Sequence, residues 1–250
     1  MHPVHAQAGD ADERRYPAPV AARRARAVAE LLELTPGGSV LDLGVGPAGL
    51  LLDAIAQHRC EGTGLVASEA MAEAARASAE REGLAGLVEF RLDDAYSPQR
   101  RLDAILGVAA EPAARIEEVG ARCFGWLKVG GLFVYGEPFF RRPPAPPYRA
   151  LLGAAAEGLR LPGISARAIV AAGFELTLTA VLSESEWDAH ESAAYRARLR
   201  RAAAHADRAA AAELRAEAER WYQAYWRYGR DTLGYALHAF RKPRHALYVV

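Results

Sequence analysis

Apolar runs alternate with amphipathic helical segments through the first 140 residues. Segments with helical spacing of apolar positions are 20–34, 48–58, 68–82 and 113–127. The runs that predict strands are "SVLDLG", "GTGLVA", "LVEFRLDD", "LDAILGVA" and "LFVYGEP". The fourth run is almost continuously apolar, which is typical of a strand covered on both faces. Five such alternations predict an α/β fold with a parallel sheet joined by right-handed crossovers.

The last hundred residues follow a different pattern. "RRPPAPP" at 141–147 predicts a stiff connector, and "KVGG" just before the fifth strand predicts the break that ends a helix. After the connector, short helices are expected at 148–158 and in "ARAIVAAG", and then a strand in "FELTLTAVLS". Long Ala/Arg/Glu-rich helices follow at about 184–205 and 207–229, and "GYALHAFRKP" predicts a final strand. We expect a loose tail at 1–16 and one domain at 17–250, with helical insertions at about 141–172 and 184–229.

Composition narrows the class of protein. The 250 residues are 51% hydrophobic, enough for a sizeable core, and the net charge is zero. A neutral chain lacks the overall basic footprint of a nucleic-acid binder. Cys60 and Cys123 are far apart and in no metal-binding pattern, which suits a reducing compartment, so we expect a cytoplasmic protein with no metal. No apolar run is long enough to cross a membrane, and the N-terminus lacks the apolar region of a signal peptide.

A glycine-rich turn follows the first predicted strand in "VLDLGVGPAGL" at 40–50. Gly44, Gly46 and Gly49 match the G-x-G-x-x-G spacing, which lets the backbone approach a ligand at a helix N-terminus. Asp42 lies two residues before the first glycine. A carboxylate there would repel a pyrophosphate, whereas it would attract a ligand that carries an ammonium group.

"VLDLGVGPAG" resembles motif I of the class I S-adenosylmethionine-dependent methyltransferases. The similarity continues, in order and spacing, through "LDDA", "LDAILGVA" and "WLKVGGLFVYGEP", so it covers roughly residues 35–140. The tail segments "SESEWDAHESAAYRARLRR" and "WRYGRDTLGYALHAFRK" resemble a bacterial branch of small-molecule methyltransferases. The resemblance implies a Rossmann-like doubly wound sheet of seven strands. It also implies a last strand that is antiparallel and lies between strands five and six.

The resemblance also implies a binding site for S-adenosyl-L-methionine (SAM). Asp42 would orient the methionine part, Asp94 with Ala95 would contact adenine, and Leu106 with Gly107 would form the lip of strand four. The full set of implied cofactor-binding positions is Asp42, Gly44, Gly46, Ala48, Val66, Asp94, Ala95, Leu106 and Gly107.

Two of these positions depart from the family pattern. Val66 stands where an acid usually holds the ribose hydroxyls, and valine accepts no hydrogen bond. Glu69 either reaches back to the ribose or interacts only with the helix dipole. Ala48 stands where the family often has a third close glycine, so its methyl group is either tolerated or narrows the pocket.

Candidate catalytic residues are fewer. Glu137 lies at the carboxyl end of the fifth strand, where ligands of open α/β sheets bind, and is either a candidate general base or a helix cap or loop ion-pair partner of Arg141 or Arg142. His190, beside Glu191, is the second candidate base. The remaining histidines, including His238, are expected to be solvated or satisfied. The aromatic residues of 221–228 either pack their helix against the domain or cover an acceptor.

Three functions remain open at this point. The first is a SAM-dependent methyltransferase, a monomer or homodimer, that acts on a small-molecule acceptor without nucleic-acid or membrane partners. The second is a degenerate methyltransferase-fold protein that serves as a binding or structural module, which Val66 and Ala48 favour. The third is a nicotinamide-dependent reductase. Asp42 and the absence of a Tyr-x-x-x-Lys pair argue against this third function.

Overall fold

The computed structural model describes Tyr16, 19–44, Gly46, 48–92, 96–108, 115–153 and 155–244. Its strands are β1 (Ser39–Asp42), β2 (Glu61–Val66), β3 (Val88–Leu92), β4 (Leu102–Val108), β5 (Leu127–Phe140), β6 (Glu175–Val181) and β7 (Leu233–Arg241). Its helices are α1 (Ala22–Leu31), α2 (Gly49–His58), α3 (Glu69–Arg81), α4 (Ile116–Trp126), α5 (Pro146–Leu152), α6 (Ala155–Gly158), α7 (Ile164–Ala171), α8 (Glu184–Ala203), α9 (Arg208–Ala224) and α10 (Arg230–Thr232).

The strands form one seven-stranded mixed sheet in the order β3-β2-β1-β4-β5-β7-β6. β1 pairs in parallel with β2 and β4, β2 with β3, and β4 with β5. β7 lies between β5 and β6 and is antiparallel to β5. The predicted fold class and the placement of the last strand are therefore confirmed.

Side-chain caps explain where several helices begin. Ser68 accepts a hydrogen bond from the Met71 backbone N–H and starts α3, as its sequence position suggests. Ser183 and Glu186 form a reciprocal capping box at the start of α8. Asp207 caps α9 by accepting from two backbone N–H groups. The polar residue before each of these three helices thus fixes its first turn.

Aromatic and aliphatic side chains fill the space between the sheet and helices α4 and α7. Phe133 and Phe240, from neighbouring strands, both contact Phe174, which precedes β6. Cys123 of α4 and Ile169 of α7 are fully buried against the same cluster. Glycine at position 62 of β2 lets α2 approach the sheet closely, because a Cβ there would come within 2.4 Å of Ile55 Cδ1.

The helix before "KVGG" ends at Trp126, close to the predicted position, but the following strand begins earlier than predicted. β5 begins at Leu127 directly after α4 and includes all four residues. The pairing with β4 shifts register between Leu102 and Ala104, and Gly130 has a φ of 82°. Gly130 and Gly131 also keep backbone hydrogen bonds to Lys242 just after β7. Pairing on both sides therefore holds an irregular segment in the strand.

Two predicted helices also differ in detail. The helix expected at 148–158 is divided into α5 and α6, and Gly153 between them has a φ of 58°. The second long helix continues beyond α9 as one π-helical turn at Tyr225–Gly229. Trp221 and Tyr225, four residues apart and on one helical face, are buried, whereas Trp226 is exposed.

The chain divides into two compact units. The sheet unit contains the described residues from 16 to 137, together with 163–180 and 236–244, and the helical unit contains 138–162 and 181–235. The helical unit overlaps most of the two insertions expected from the sequence. Within the described residues, no helix has the length and apolarity to cross a membrane.

Candidate functional site

The strand order reverses between β1 and β4. β1 continues through α2 to β2 on one side, whereas β4 lies on its other side and leads on to β5. Asp42, the last residue of β1, is in register with Leu106 of β4 and Gly64 of β2. In open α/β sheets the crevice beyond the carboxyl ends of the strands at such a switch point is where ligands bind. Asp42 therefore lies at the expected edge of the sheet.

Asp42 is a buried carboxyl group, with only 3% of its surface exposed. Its Oδ1 accepts a hydrogen bond from the Gly44 backbone N–H at 3.1 Å, and no other hydrogen bond to it occurs within the described residues. Burial raises the pKa of Asp42 to about 7, and the Gly44 N–H lowers it by a smaller amount. The site thus holds a carboxyl group that a cationic ligand would convert to the charged form.

The turn after Asp42 has the backbone conformation that the glycine pattern predicts. Gly46 has a φ of 45°, and among the described residues the nearest atom to a Cβ placed there would be the Gly44 carbonyl oxygen at 3.9 Å. The space beyond Gly46 is therefore open to a ligand. α2 begins three residues later, and its first N–H groups have no acceptor within the helix.

Ala48 adopts a left-handed conformation, with φ 64° and ψ −9°, immediately before α2. This conformation is unstrained for glycine and unfavourable for alanine. The methyl group is 1% exposed, so it lies in the protein interior. Ala48 therefore adopts the backbone conformation that suits the glycine often found at this position in the family that the sequence resembles.

Val66 is the last residue of β2 and is 2% exposed. It pairs with Leu92, the last residue of β3, at the same carboxyl edge of the sheet. Glu69 is exposed in the first turn of α3, where its carboxylate accepts from Arg76 at 2.7 Å. The residue expected to bind a ribose thus presents an apolar side chain, and the nearby acid has a partner on its own helix.

Two predicted adenine contacts, Asp94 and Ala95, lie outside the described residues. Leu106 and Gly107 are inside them and are buried in β4. A Cβ at Gly107 would lie 3.2 Å from Phe133 and 3.3 Å from Tyr135. Close packing of aromatic rings is therefore a sufficient reason for glycine at 107, apart from any role beside a cofactor.

Glu137 lies near the carboxyl end of β5 and is 9% exposed. It comes directly after Gly136, which pairs with Val108 at the end of β4. The level of Asp42 in the sheet corresponds to Val134, so Glu137 lies three residues further toward the carboxyl edge, or roughly 10 Å along the strand direction. This placement fits a group that acts next to a ligand at the switch point.

The two arginines considered as partners of Glu137 bind other groups. Arg141 donates to the carbonyl oxygens of Leu233 and Leu182. Arg142 pairs with Asp231 at 2.7 Å. One side chain near Glu137 is His238, whose Nε2 is 3.8 Å from Glu137 Oε1. The sequence did not indicate this neighbour.

His190 belongs to the helical unit and is half-buried on α8, with its ring centroid 5.6 Å from that of Trp187. The adjacent Glu191 is 4% exposed and accepts a hydrogen bond from Trp221 Nε1 at 2.8 Å. Tyr148 stacks near Trp221, with centroids 6.3 Å apart. These contacts favour the packing role of the aromatic residues within their own unit.

Thiol and metal chemistry find little support in the described residues. Burial raises the pKa of Cys60 to about 11 and that of Cys123 to about 12, so both remain protonated thiols at neutral pH. Both cysteines are free and buried. The part of the chain that the structure describes contains no group of three metal-ligating side chains.

Comparisons with known proteins agree with this geometry. Residues 41–135 match the family model described as a methyltransferase domain. The chain is 26% identical to a SAM-dependent methyltransferase from Thiobacillus denitrificans, solved in complex with S-adenosyl-L-homocysteine, with a TM-score of 0.79 over 90% of this chain and 93% of that one. The chain has the class I methyltransferase fold.

Further relatives with this methyltransferase fold cover nearly the whole chain. A SAM-dependent methyltransferase from Geobacter sulfurreducens, also solved with S-adenosyl-L-homocysteine, is 26% identical with a TM-score of 0.74, covering 90% of this chain and 92% of that one. The protein YjhP of Escherichia coli strain K12 is 29% identical over 236 residues, which are 91% of this chain and 94% of YjhP. The similarity therefore extends beyond the methyltransferase domain into the C-terminal segments.

Two features of the sheet unit were not predicted from the sequence. Tyr16, expected at the end of a loose tail, donates its hydroxyl to Asp53 of α2 at 2.7 Å. His238 was expected to be solvated or satisfied; its Nδ1 lies 2.9 Å from Thr179 Oγ1, whereas its Nε2 has no hydrogen-bond partner within the described residues. No local motif marks either residue, because the partners are 37 and 59 positions away in the sequence.

Proposed function

We propose that the protein is a SAM-dependent methyltransferase that acts on a small-molecule acceptor. The observation that supports this function best is the buried Asp42 at the switch point, next to an open, positive-φ glycine turn. A buried carboxylate is costly unless it is paired. A ligand with an ammonium group at this position would supply the missing cation.

The remaining residues fit parts of the same ligand unequally. Gly44, Gly46 and the N-terminal N–H groups of α2 would contact the aminoacyl portion through backbone atoms. Val66 would contact the ribose by packing alone. When bound, SAM supplies an electrophilic methyl group on a sulfonium sulfur. The chain's own task is to align the acceptor and exclude water, and Glu137 is the candidate base for an acceptor that must lose a proton.

A second candidate function is a binding or structural module that has lost most of its affinity for SAM. Val66 favours it, since a buried valine cannot replace the charge-assisted hydrogen bonds that an acid makes to a diol. Such bonds contribute about 1.5–3 kcal/mol. The two functions therefore differ in whether the remaining contacts suffice for binding.

Titration calorimetry with three ligands separates the candidates. Micromolar binding of SAM and S-adenosyl-L-homocysteine, without binding of a nicotinamide dinucleotide, is the result expected for the methyltransferase. Asp42→Asn should weaken SAM binding, whereas Glu73→Gln, a change at an exposed acid of α3, should not. Absence of SAM binding by the wild-type protein would favour the module.

Val66→Asp tests the ribose position directly. The new carboxylate should tighten SAM binding about tenfold or more if the ribose lies beside β2. It should also destabilise the ligand-free protein, because position 66 is buried. Val66→Ala is the matched control, since it removes methyl groups without adding an acceptor. Equal SAM affinities for the Asp and Ala variants would place the ribose elsewhere.

A further inference from the structure

The sheet has two edge strands, β3 and β6, and they are protected to different degrees. β3 has five residues, of which Glu89 and Arg91 are charged and exposed. β6 has seven residues, contains no Lys, Arg or Pro, and carries its one charge at its first residue, Glu175. Charges, prolines and short length are the features that keep edge strands from pairing with another chain. β6 is therefore the less protected edge.

The side chains of β6 are exposed and largely apolar. Leu176 and Leu178 are 45% and 46% exposed and lie on the same face as Ala180. Leu178 and Ala180 line a small apolar hollow of about 70 Å³ together with Leu237 and Ala239 of the neighbouring β7. Exposed apolar side chains beside an open strand edge are typical of a surface that another chain covers.

The pairing of β6 with β7 shows which backbone groups point outward. Thr179 lies beside His238, and the backbone N–H of Leu182, directly after β6, donates to the Tyr235 carbonyl, so the two strands run antiparallel. In such a pair, residues bonded to the neighbouring strand alternate with residues whose N–H and C=O point away from it. Since Leu182 is of the first kind, the outward groups belong to Thr179, Thr177 and the two end residues of β6. No other strand of the described residues pairs with this side of β6.

One antiparallel register pairs all of these outward groups with those of a second copy of the chain. It has a two-fold axis at Leu178, which places Thr177 of one copy opposite Thr179 of the other. Glu175 is then opposite Val181, and the four outward residues of each β6 form ladder hydrogen bonds with the four of its partner. The contact is isologous, because both copies use the same surface.

The same register matches the side chains. On the apolar face, Leu178 meets its own copy at the axis, and Leu176 is opposite Ala180 on either side. On the other face threonine is opposite threonine, which is a favourable cross-strand pair. The two Glu175 side chains lie at opposite ends of the paired strands, each opposite an apolar residue. Like charges therefore do not meet across the contact.

We propose that two copies of this chain associate through β6 and join their seven-stranded sheets into one continuous sheet. Seven residues at about 3.4 Å each make an edge roughly 24 Å long, and a sheet with its side chains is about 10 Å thick. A contact of this size is at the low end of specific interfaces, so the dimer should form at micromolar concentrations and above. In the sheet order β6 is separated from β1 by three strands, so the association does not depend on the proposed function.

Analytical ultracentrifugation of the full chain tests the association. With increasing protein concentration, the average mass of the wild type should rise from the 27.0 kDa of one chain toward twice that value. Leu178→Lys places two ammonium groups at the axis and should raise the dissociation constant about tenfold or more, since like charges directly opposite one another are unfavourable. Leu92→Lys, the same change at a residue of similar exposure on the β3 edge, should leave the dissociation constant unchanged.

A single introduced cysteine tests the register. Leu178→Cys places two sulfurs in a directly opposite pair whose Cα atoms are about 4.5 Å apart, which a disulfide can bridge. Leu176→Cys is the matched control, because it has nearly the same exposure on the same face but its two copies would lie roughly 14 Å apart. The native Cys60 and Cys123 are buried and should not react.

Under mild oxidation, a non-reducing gel should show a covalent dimer for Leu178→Cys and none for Leu176→Cys. A wild-type protein that stays monomeric at high micromolar concentration would overturn the proposal. A dimer that Leu178→Lys does not weaken, or equal cross-linking of the two cysteine variants, would do so as well. Because none of these measurements involves SAM, a failure of the proposed function would leave their outcome unchanged.

Discussion

Asp42 and Glu191 are both buried carboxyl groups, and the regions around them use that burial differently. Asp42 of the sheet unit has one hydrogen bond within the described residues, from a backbone N–H two residues away. Glu191 of the helical unit accepts from Trp221 Nε1, and the positive charge of Arg198 acts on it as well. Burial raises the pKa of both groups.

The two carboxyl groups differ in the side chains that surround them. Glu191 joins α8 to α9, and the Arg198 guanidinium lies over the Trp221 ring at 5.6 Å, so the cluster is complete without a ligand. Asp42 has no cationic partner among the described residues. Burial alone therefore does not mark a functional carboxylate, whereas burial without an internal counter-charge next to an open turn does.

The largest effect is expected from Glu191→Ala. The change leaves Trp221 Nε1 without its acceptor and Arg198 without a buried counter-charge, which should lower the free energy of unfolding by about 3–5 kcal/mol. Denaturant unfolding followed by tryptophan fluorescence measures it. Glu213→Ala, at an exposed position of α9, should change stability by less than about 0.5 kcal/mol. A similar loss of stability in both variants would contradict a structural role for Glu191.

Asp42→Asn should stabilise the ligand-free protein, whereas Glu191→Ala should destabilise it. A carboxyl group whose pKa rises from 3.8 to about 7 on folding binds more protons in the folded state, so its stability contribution falls as pH rises from about 4 to 7. The neutral amide avoids this loss. We expect Asp42→Asn to be more stable than the wild type by roughly 2–4 kcal/mol at pH 8, with the advantage shrinking toward pH 4.

Urea unfolding of both proteins at pH 4.5 and pH 8 tests that expectation. The same variant should bind SAM about ten- to a hundredfold more weakly, since a charged hydrogen-bond acceptor is lost. A variant that is less stable than the wild type at pH 8 would show that Asp42 serves structure as Glu191 does.

The pH dependence of SAM affinity gives a smaller effect. Binding of an ammonium group favours ionised Asp42, so affinity should fall about tenfold between pH 8 and pH 6 as the carboxyl group with a pKa of about 7 becomes protonated. Calorimetry across this range measures the slope. Asp42→Asn should show no such decrease, and a wild-type affinity independent of pH would mean that Asp42 does not meet a cation.

The sequence predicted most of the helices and strands and the glycine turn, because the residues that indicate each of them are close together in the chain. Asp42, Gly46 and Ala48 lie within seven consecutive positions, and the strand that precedes them is uniformly buried. "KVGG" marked the end of α4 correctly, but the start of β5 was predicted too late, because pairing with strands on both sides keeps the two glycines within β5.

The polar cluster of Glu137, His238 and Thr179 could not be predicted in the same way. It joins residues 59 and 101 positions from His238, through antiparallel pairings that only the sheet order establishes. His238 stands within "YALHAF", where the apolar pattern indicates a buried strand and gives no sign of a polar partner. Glu191 is comparable, because its partner Trp221 is on the next helix and the spacing alone suggested packing.

The smallest expected effect concerns Ala48. Glycine would remove roughly 1 kcal/mol of left-handed strain, but it adds about 0.4–1 kcal/mol of unfolded-chain entropy and loses a buried methyl contact. Ala48→Gly should therefore change the free energy of unfolding by less than about 1 kcal/mol. The SAM affinity of this variant distinguishes the two interpretations of the Ala48 methyl group. An unchanged affinity would mean that the turn tolerates the methyl group, as expected from its burial. A clear gain in affinity would mean that the methyl group narrows the pocket. Ala54→Gly, within α2, is the control for adding a glycine near this helix, and its loss of stability should be larger because that position is helical and fully buried.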